Sequence, residues 1–230
     1  MSLRVLCLAV AAALVVMLSP MGSGPAAATA TATSVLFDAK HLASLGKGDR
    51  LAYRFQRTVS NPQLLGEPYS DDITVDILAA DADQTKQVAV QVFTGERARR
   101  EQRIAGMTGN PLLVVFLDRA VLNMTQLAGG NRPYLKQKIK IALDHTAQID
   151  KVSVTYKGKA VEGYRVRVSP FLGDAAALKM MGYDGARLEF VVSENIPGQF
   201  ASMTSVFESP MQGSPKLEER ITLDGVEAVK

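Results

Sequence analysis

Residues 110–130 constrain this chain more than any other stretch. Asn110-Pro111 is a helix start, since Asn can accept from the first free amides and Pro suits the first helical position. Gly129-Gly130 is a stop. Between them Leu112, Leu113, Val115, Phe116, Leu117, Ala120, Val121, Met124 and Leu127 cover most of the helical circumference. Only Asp118, Arg119, Asn123, Thr125 and Gln126 are polar. A helix that apolar must be covered on more than one side. At 1.5 Å per residue it is roughly 25 Å long, enough to cross a small domain.

The flanking sequence changes period. Before the helix, Leu51, Tyr53 and Phe55 alternate with Arg50, Arg54 and Gln56. Ile73, Val75 and Ile77 repeat the pattern, as do Val88, Val90 and Val92. The loop signals Asn61-Pro62 and residues 66–68, and the polar turn 81–86, separate these runs, which predicts an antiparallel meander. After the helix a second segment opens at Pro133. Leu135, Ile139, Ala142 and Leu143 fit helical spacing, and Leu135, Ile139, Ile141 and Leu143 against three lysines also fit a strand. Pro at a first turn and the Lys, Ala and Leu content decide for helix.

Strand character then returns. Val152, Val154 and Tyr156 lead through Lys157-Gly158-Lys159 to Val161, Tyr164, Val166 and Val168, a hairpin. Asp174 is a candidate cap for a short helix running to Met181, stopped by Gly182. Leu188, Phe190 and Val192 form a further strand, residues 195–198 a turn, and residues 200–208 and 216–223 the last strands. A meander, a buried helical block and a second meander predict an α+β domain. The economical arrangement is one curved antiparallel sheet, an incomplete barrel, covered by the central helices.

The N-terminus reads as a secretory leader over residues 1–32, leaving one domain over 33–230. Arg4 is the positive n-region, residues 5–18 are an unbroken apolar run, and Ser19-Pro20 ends it. Ala28-Thr29-Ala30 and Ala30-Thr31-Ala32 offer cleavage sites. The run is short for a span, which takes roughly 20 residues, and no later segment is apolar enough. A periplasmic or secreted location follows as the expectation. The one cysteine, Cys7, falls in the leader and follows no small-residue lipobox, so the remaining chain has no disulfide, thiolate metal site or cysteine nucleophile. The whole chain carries 26 basic and 23 acidic side chains. Arg4 is the leader's only charge, so the rest is nearly balanced and no nucleic-acid partner is expected.

The order of parts resembles the lipoprotein-carrier-like fold of bacterial periplasmic proteins. The similar features are the exported start, the first strand Gly48-Asp49-Arg50-Leu51-Ala52-Tyr53-Arg54-Phe55, the helix over residues 110–128, and the strand-end turn Ser193-Glu194-Asn195-Ile196-Pro197-Gly198. The resemblance implies a curved incomplete barrel capped by helices over an apolar cavity, a carrier, sensor or binding role, and no cofactor. It carries no functional residue across.

Chemistry-bearing motifs are sparse. Asp144-His145 is the one acid–histidine neighbour pair, but adjacent helical residues point about 100° apart, and His145 suits a helix C-terminus. His41 is weaker still. No serine-nucleophile elbow or paired-histidine motif occurs, so no catalytic residue is assigned. Two histidines leave little for zinc, and Met180, Met181, Met203 and Met211 read as core filling rather than a soft-metal site. No metal and no cofactor is expected. Arg97, Arg99, Arg100 and Arg103 are candidates for an anion or lipid-headgroup site, against the plainer reading of a solvated hairpin edge.

The expected function is therefore an exported, non-catalytic binding or carrier protein for an apolar or amphiphilic ligand, with a lipid or an envelope protein as partner. Leu113, Phe116, Leu117, Ala120 and Met124 on the central helix are the candidate ligand-binding residues. An envelope assembly module is the alternative. A hydrolase using dispersed carboxylates, among Asp71, Asp72, Glu162, Glu189 and Glu194, is a more distant one.

Overall fold

The computed structural model describes residues 30–229; the expected leader, Cys7 included, lies almost wholly outside them. A π-helical turn, Ser34–Asp38, precedes strand β1 (Arg50–Val59). A single helical turn, α1 (Pro62–Leu65), leads to β2 (Tyr69–Ala80), β3 (Lys86–Val92) and β4 (Gln102–Met107). Helices α2 (Leu112–Ala128) and α3 (Arg132–His145) follow, then β5 (Gln148–Tyr156), β6 (Lys159–Val168), β7 (Arg187–Val192), β8 (Phe200–Phe207), β9 (Leu217–Leu223) and β10 (Val226–Val229).

The strands form one ten-stranded sheet in the order β10-β5-β6-β7-β8-β9-β1-β2-β3-β4. Every pairing is antiparallel. The two meanders are joined through β9 and β1, where Phe55 faces Ile221. The outer strands β4 and β10 do not pair, so the curved sheet stays an open barrel. This topology dictates where the helices go. The chain leaves β4 at one edge and re-enters at β5 beside the other, and α2 and α3 are the connection. The expected α+β architecture is the observed one.

The alternation in each strand sets the core. Leu51, Tyr53 and Phe55 of β1, Ile73, Val75 and Ile77 of β2, and Val88 and Val90 of β3 are buried. They meet Phe190, Phe200, Met203, Phe207, Leu217 and Ile221 from the second meander in one continuous core. The β5–β6 hairpin turns on Lys157 and Gly158, both at positive φ (49° and 76°), as a right-twisting two-residue turn requires.

One expectation is corrected, and two strands join those expected. The segment after Asp174 is not an α-helix. Asp174 Oδ1 does accept from the Ala176 amide (2.7 Å), but the chain then forms 3₁₀ turns at Ala177–Met180 and Tyr183–Gly185. Glycines at 173, 182 and 185 interrupt any longer ladder. Residues 102–107 form edge strand β4, although mostly exposed side chains hide its alternation. Residues 226–229 add a tenth strand.

Candidate functional site

The start of α2 is fixed by a buried polar knot. Asn110 Oδ1 accepts from the Leu112 amide (3.1 Å), and Asn110 Nδ2 donates to Tyr53 Oη (2.8 Å) and to the Gly198 carbonyl (2.9 Å). One side chain thus ties the helix start to β1 and to the β7–β8 turn. Gly198 sits at φ +68°, and a Cβ there would meet Leu51 Cδ1 at 2.5 Å and Tyr53 Oη at 2.9 Å, so only glycine fits. Burial raises the Tyr53 pKa, the Asn110 hydrogen bond offsetting it only in part. His41 joins the same knot. Its Nε2 lies 2.9 Å from the Val35 carbonyl oxygen, and its Nδ1 accepts from the Asn110 amide (3.3 Å). The ring packs against Phe200 at 4.7 Å. Both nitrogens are committed in the neutral ring, and burial lowers the His41 pKa despite the Val35 hydrogen bond.

Further along, α2 is bolted to the sheet by charge. Glu219 of β9 is buried and accepts from Arg119 Nε (2.9 Å), Arg119 Nη2 (2.5 Å) and Arg57 Nη1 (2.5 Å). Arg57 also donates to Asn123 Oδ1 (3.1 Å). The Arg119 guanidinium lies over Phe55 (4.6 Å) and Phe93 (5.0 Å). Burial works against its charge, but the Glu219 hydrogen bonds prevail and raise its pKa. The polar residues of the apolar helix, Arg119 and Asn123, thus face the sheet rather than water.

The apolar residues divide into two faces. Leu113, Phe116, Ala120 and Met124 are buried in the sheet core, Phe116 being 2% exposed and edge-on to Phe190 at 5.2 Å. The inner face is filled by protein. The opposite face is not. Val114, Leu117 and Val121 of α2, with Ile139 and Leu143 of α3 and Phe37 of the π-helical turn, line a groove of about 480 Å³. Val114 is 60% exposed and Phe37 46%. Polar links cross it: Thr33 Oγ1 donates to Asp144 Oδ1 (3.0 Å), and Lys136 Nζ pairs with Asp118 (2.7 Å).

No protein-family model matches the chain, and no curated protein matches it in sequence. A solved structure aligns along most of both chains. It is the crystal structure of a LolA superfamily protein from Nitrosomonas europaea. The alignment covers 88% of this chain and 94% of that chain at 8% identity, with a TM-score of 0.21. The likeness is one of general architecture and carries nothing about a site.

Of the five candidate ligand residues only Leu117 lines the groove; the other four form the sheet-facing core. Phe37, Ile139 and Leu143 were not among the candidates. A stripe at 114, 117 and 121 was present in the sequence, but nothing local told which face of an all-round apolar helix meets the sheet. The four arginines do not converge. Arg97 stacks on Tyr69 (4.6 Å), Arg103 pairs with Glu101 (2.9 Å), Arg100 is exposed, and Arg99 alone reaches a depression beside α2.

Other features suit ligand chemistry less well. A depression of about 680 Å³ at the β5–β6 and β9–β10 turns mixes Lys157, Glu194 and Asp224 with its apolar wall and is widely open. Asp144 and His145 are exposed and 3.6 Å apart, and Asp144 is engaged by Thr33. Among the described residues no three histidine, cysteine or carboxylate side chains cluster as metal ligands, and no helix is long and apolar enough to cross a membrane.

Proposed function

We propose that this is an exported, non-catalytic binding or carrier protein that holds the apolar chain of an amphiphile in the groove between α2 and α3. The observation that carries the reading is the groove itself. Its volume lies within the roughly 300–1,000 Å³ of small-molecule sites, and its lining surface is mostly apolar, with Asp118, Lys136, Lys140 and Asp144 as the charged members. Exposed Val114 and Phe37 have no reason to stay in water on stability grounds alone. The buried Glu219 anchor holds one wall still, so little ordering opposes binding.

Native mass spectrometry of the protein purified gently from its own cells tests the reading. An adduct with the mass of a lipid or fatty acid is expected, and it should disappear on exchange into detergent. A protein that is consistently bare, and that also fails to take up an added alkyl chain, would contradict it.

A second reading has one observation in its favour. Leu172, Leu178, Met181 and Met211 are exposed, Leu178 completely. That surface suits a protein-docking module of the envelope. The same spectra separate the readings, because a docking module retains a protein mass instead of a lipid.

A further inference from the structure

The apolar groove does not end at the Val114–Val121 ridge of α2. It adjoins a second depression of about 370 Å³ between α2 and the β3–β4 edge. Val114, Asp118, Val121 and Lys136 wall both. The second depression has a different chemistry. Arg99, Arg132, Lys136 and Arg119 line it against one carboxylate, Asp118, which Lys136 already engages at 2.7 Å.

Three further facts make this depression electropositive. Arg99 and Arg132 are exposed, and no carboxylate lies within ion-pair distance of either among the described residues. Arg132 opens α3, where the helix dipole already places positive potential, so its charge opposes helix stability. Arg119 of the lining shares the single carboxylate of Glu219 with Arg57, and two guanidiniums on one carboxylate leave one buried positive charge without a counter-charge in this cluster. Salt screens a buried charge far less than an exposed one.

We infer that this basic depression receives the head of the amphiphile whose chain occupies the groove, so that the ligand is anionic, with a phosphate or carboxylate head. The inference rests on the proposed function and specifies its ligand class. The planar forks of Arg99 and Arg132 offer paired donors to two oxygens of one head. Lys136, on the shared wall, can leave Asp118 to face the head at the point where chain and head join.

Dodecyl phosphate, dodecanol and inorganic phosphate, each below any micelle concentration, test it by calorimetric titration at low and at high salt. Dodecyl phosphate should bind roughly tenfold or more tightly than dodecanol at low salt, with the advantage shrinking as salt rises. In the double variant Arg99→Gln/Arg132→Gln the two amphiphiles should bind alike, while the denaturant midpoint stays near the parent's because neither arginine is paired. Inorganic phosphate alone should bind far more weakly than dodecyl phosphate. Equal binding of the two amphiphiles by the parent would overturn the headgroup assignment and leave the groove intact. Failure of both to bind would overturn the groove reading itself. Inorganic phosphate binding as tightly as dodecyl phosphate would make the depression a free-anion site and overturn the inference.

Discussion

His41 shows what one side chain can decide in this molecule. The buried imidazole spends one nitrogen on the Val35 carbonyl and the other on the Asn110 amide, so it must stay neutral. Burial lowers its folded-state pKa below the ordinary 6.5. Above that value neither state binds the proton and the group is silent. Below it the unfolded chain takes up a proton that the folded chain refuses, so stability falls with pH, by at most about 1.4 kcal/mol per pH unit for one proton. Denaturant titrations from pH 7 to 5 should show that slope, and it should shrink in His41→Gln. An unchanged slope in the variant would assign the acid sensitivity elsewhere. Asp174 also loses its contribution on acidification, but at lower pH and because the folded state favours its charged form rather than its neutral one. Burial favours its neutral form, but Lys138, the Tyr134 hydroxyl and the Ala176 amide outweigh this and hold its pKa down at about 2. Its contribution is complete above its unfolded value near 3.8, declines as pH falls below that value, and is gone once pH has fallen through about 2.

Thr31 closes the first turn of the described chain. Its Oγ1 accepts from the Ser34 amide (3.1 Å), its amide donates to Ser34 Oγ (3.0 Å), and its carbonyl accepts from Val35 (3.1 Å). Ala32 beside it is buried. Export cleavage after Ala32 would remove both residues, whereas cleavage after Ala30 keeps this first turn whole. If the leader is removed as expected, N-terminal sequencing of the mature chain should therefore read Thr31 or an upstream residue, two residues short of the 1–32 boundary expected from the sequence. A chain beginning at Thr33 would contradict the claim that this turn belongs to the folded domain.

Helix α2 joins the sheet core to the groove. Its anchor is a buried carboxylate serving two arginines, with the Asn123 Nδ2 left unpaired among the described residues. Glu219→Gln keeps the shape and strips the charge, leaving two buried guanidiniums uncompensated. A loss of about 3–5 kcal/mol is expected from chemical denaturation. A loss below about 1 kcal/mol would mean that the helix is held by its apolar face alone.

At the same scale lies the boundary of what the sequence could tell. The bounds of α2, the helical nature of α3 and the β5–β6 turn were all readable, because capping, Pro placement and glycine conformation are local properties. The partner of Arg119 was not, since Glu219 is 100 residues away and an arginine in an apolar helix looks the same whether it snorkels to water or meets a buried acid. Phe37 was unreadable as a groove residue for a related reason. Its neighbours in space, Val114 and Leu143, come from elements that only the folded chain brings together. Strand β4 was hidden because an exposed edge has no apolar alternation to display.

At the scale of the whole molecule, the open sheet and its helical connection form one device. Because β4 and β10 do not close the barrel, α2 and α3 must cover the concave face, and the α2 residues facing inward are consumed by that task. What remains of the apolar helix is turned outward, and the groove exists because α2 carries more apolar surface than the sheet can bury. The inner and outer faces should therefore separate by mutation. Phe116→Ala should cost about 3–5 kcal/mol, as a packed core phenylalanine does, with little effect on alkyl-chain binding by the fraction that remains folded. Phe37→Ser/Val114→Ser alters two half-exposed side chains and should cost about 1 kcal/mol or less.

Whether the ligand lies in the outer groove is decided by the dissociation constant for dodecyl phosphate, measured side by side on the parent, Phe116→Ala and Phe37→Ser/Val114→Ser. A groove-bound chain requires a roughly tenfold or greater loss of affinity in the double groove variant, since each lost apolar contact contributes on the order of 1 kcal/mol, and near-parent affinity in folded Phe116→Ala. Loss of binding in Phe116→Ala with full retention in the groove variant would place the ligand inside the sheet and overturn the groove as the site.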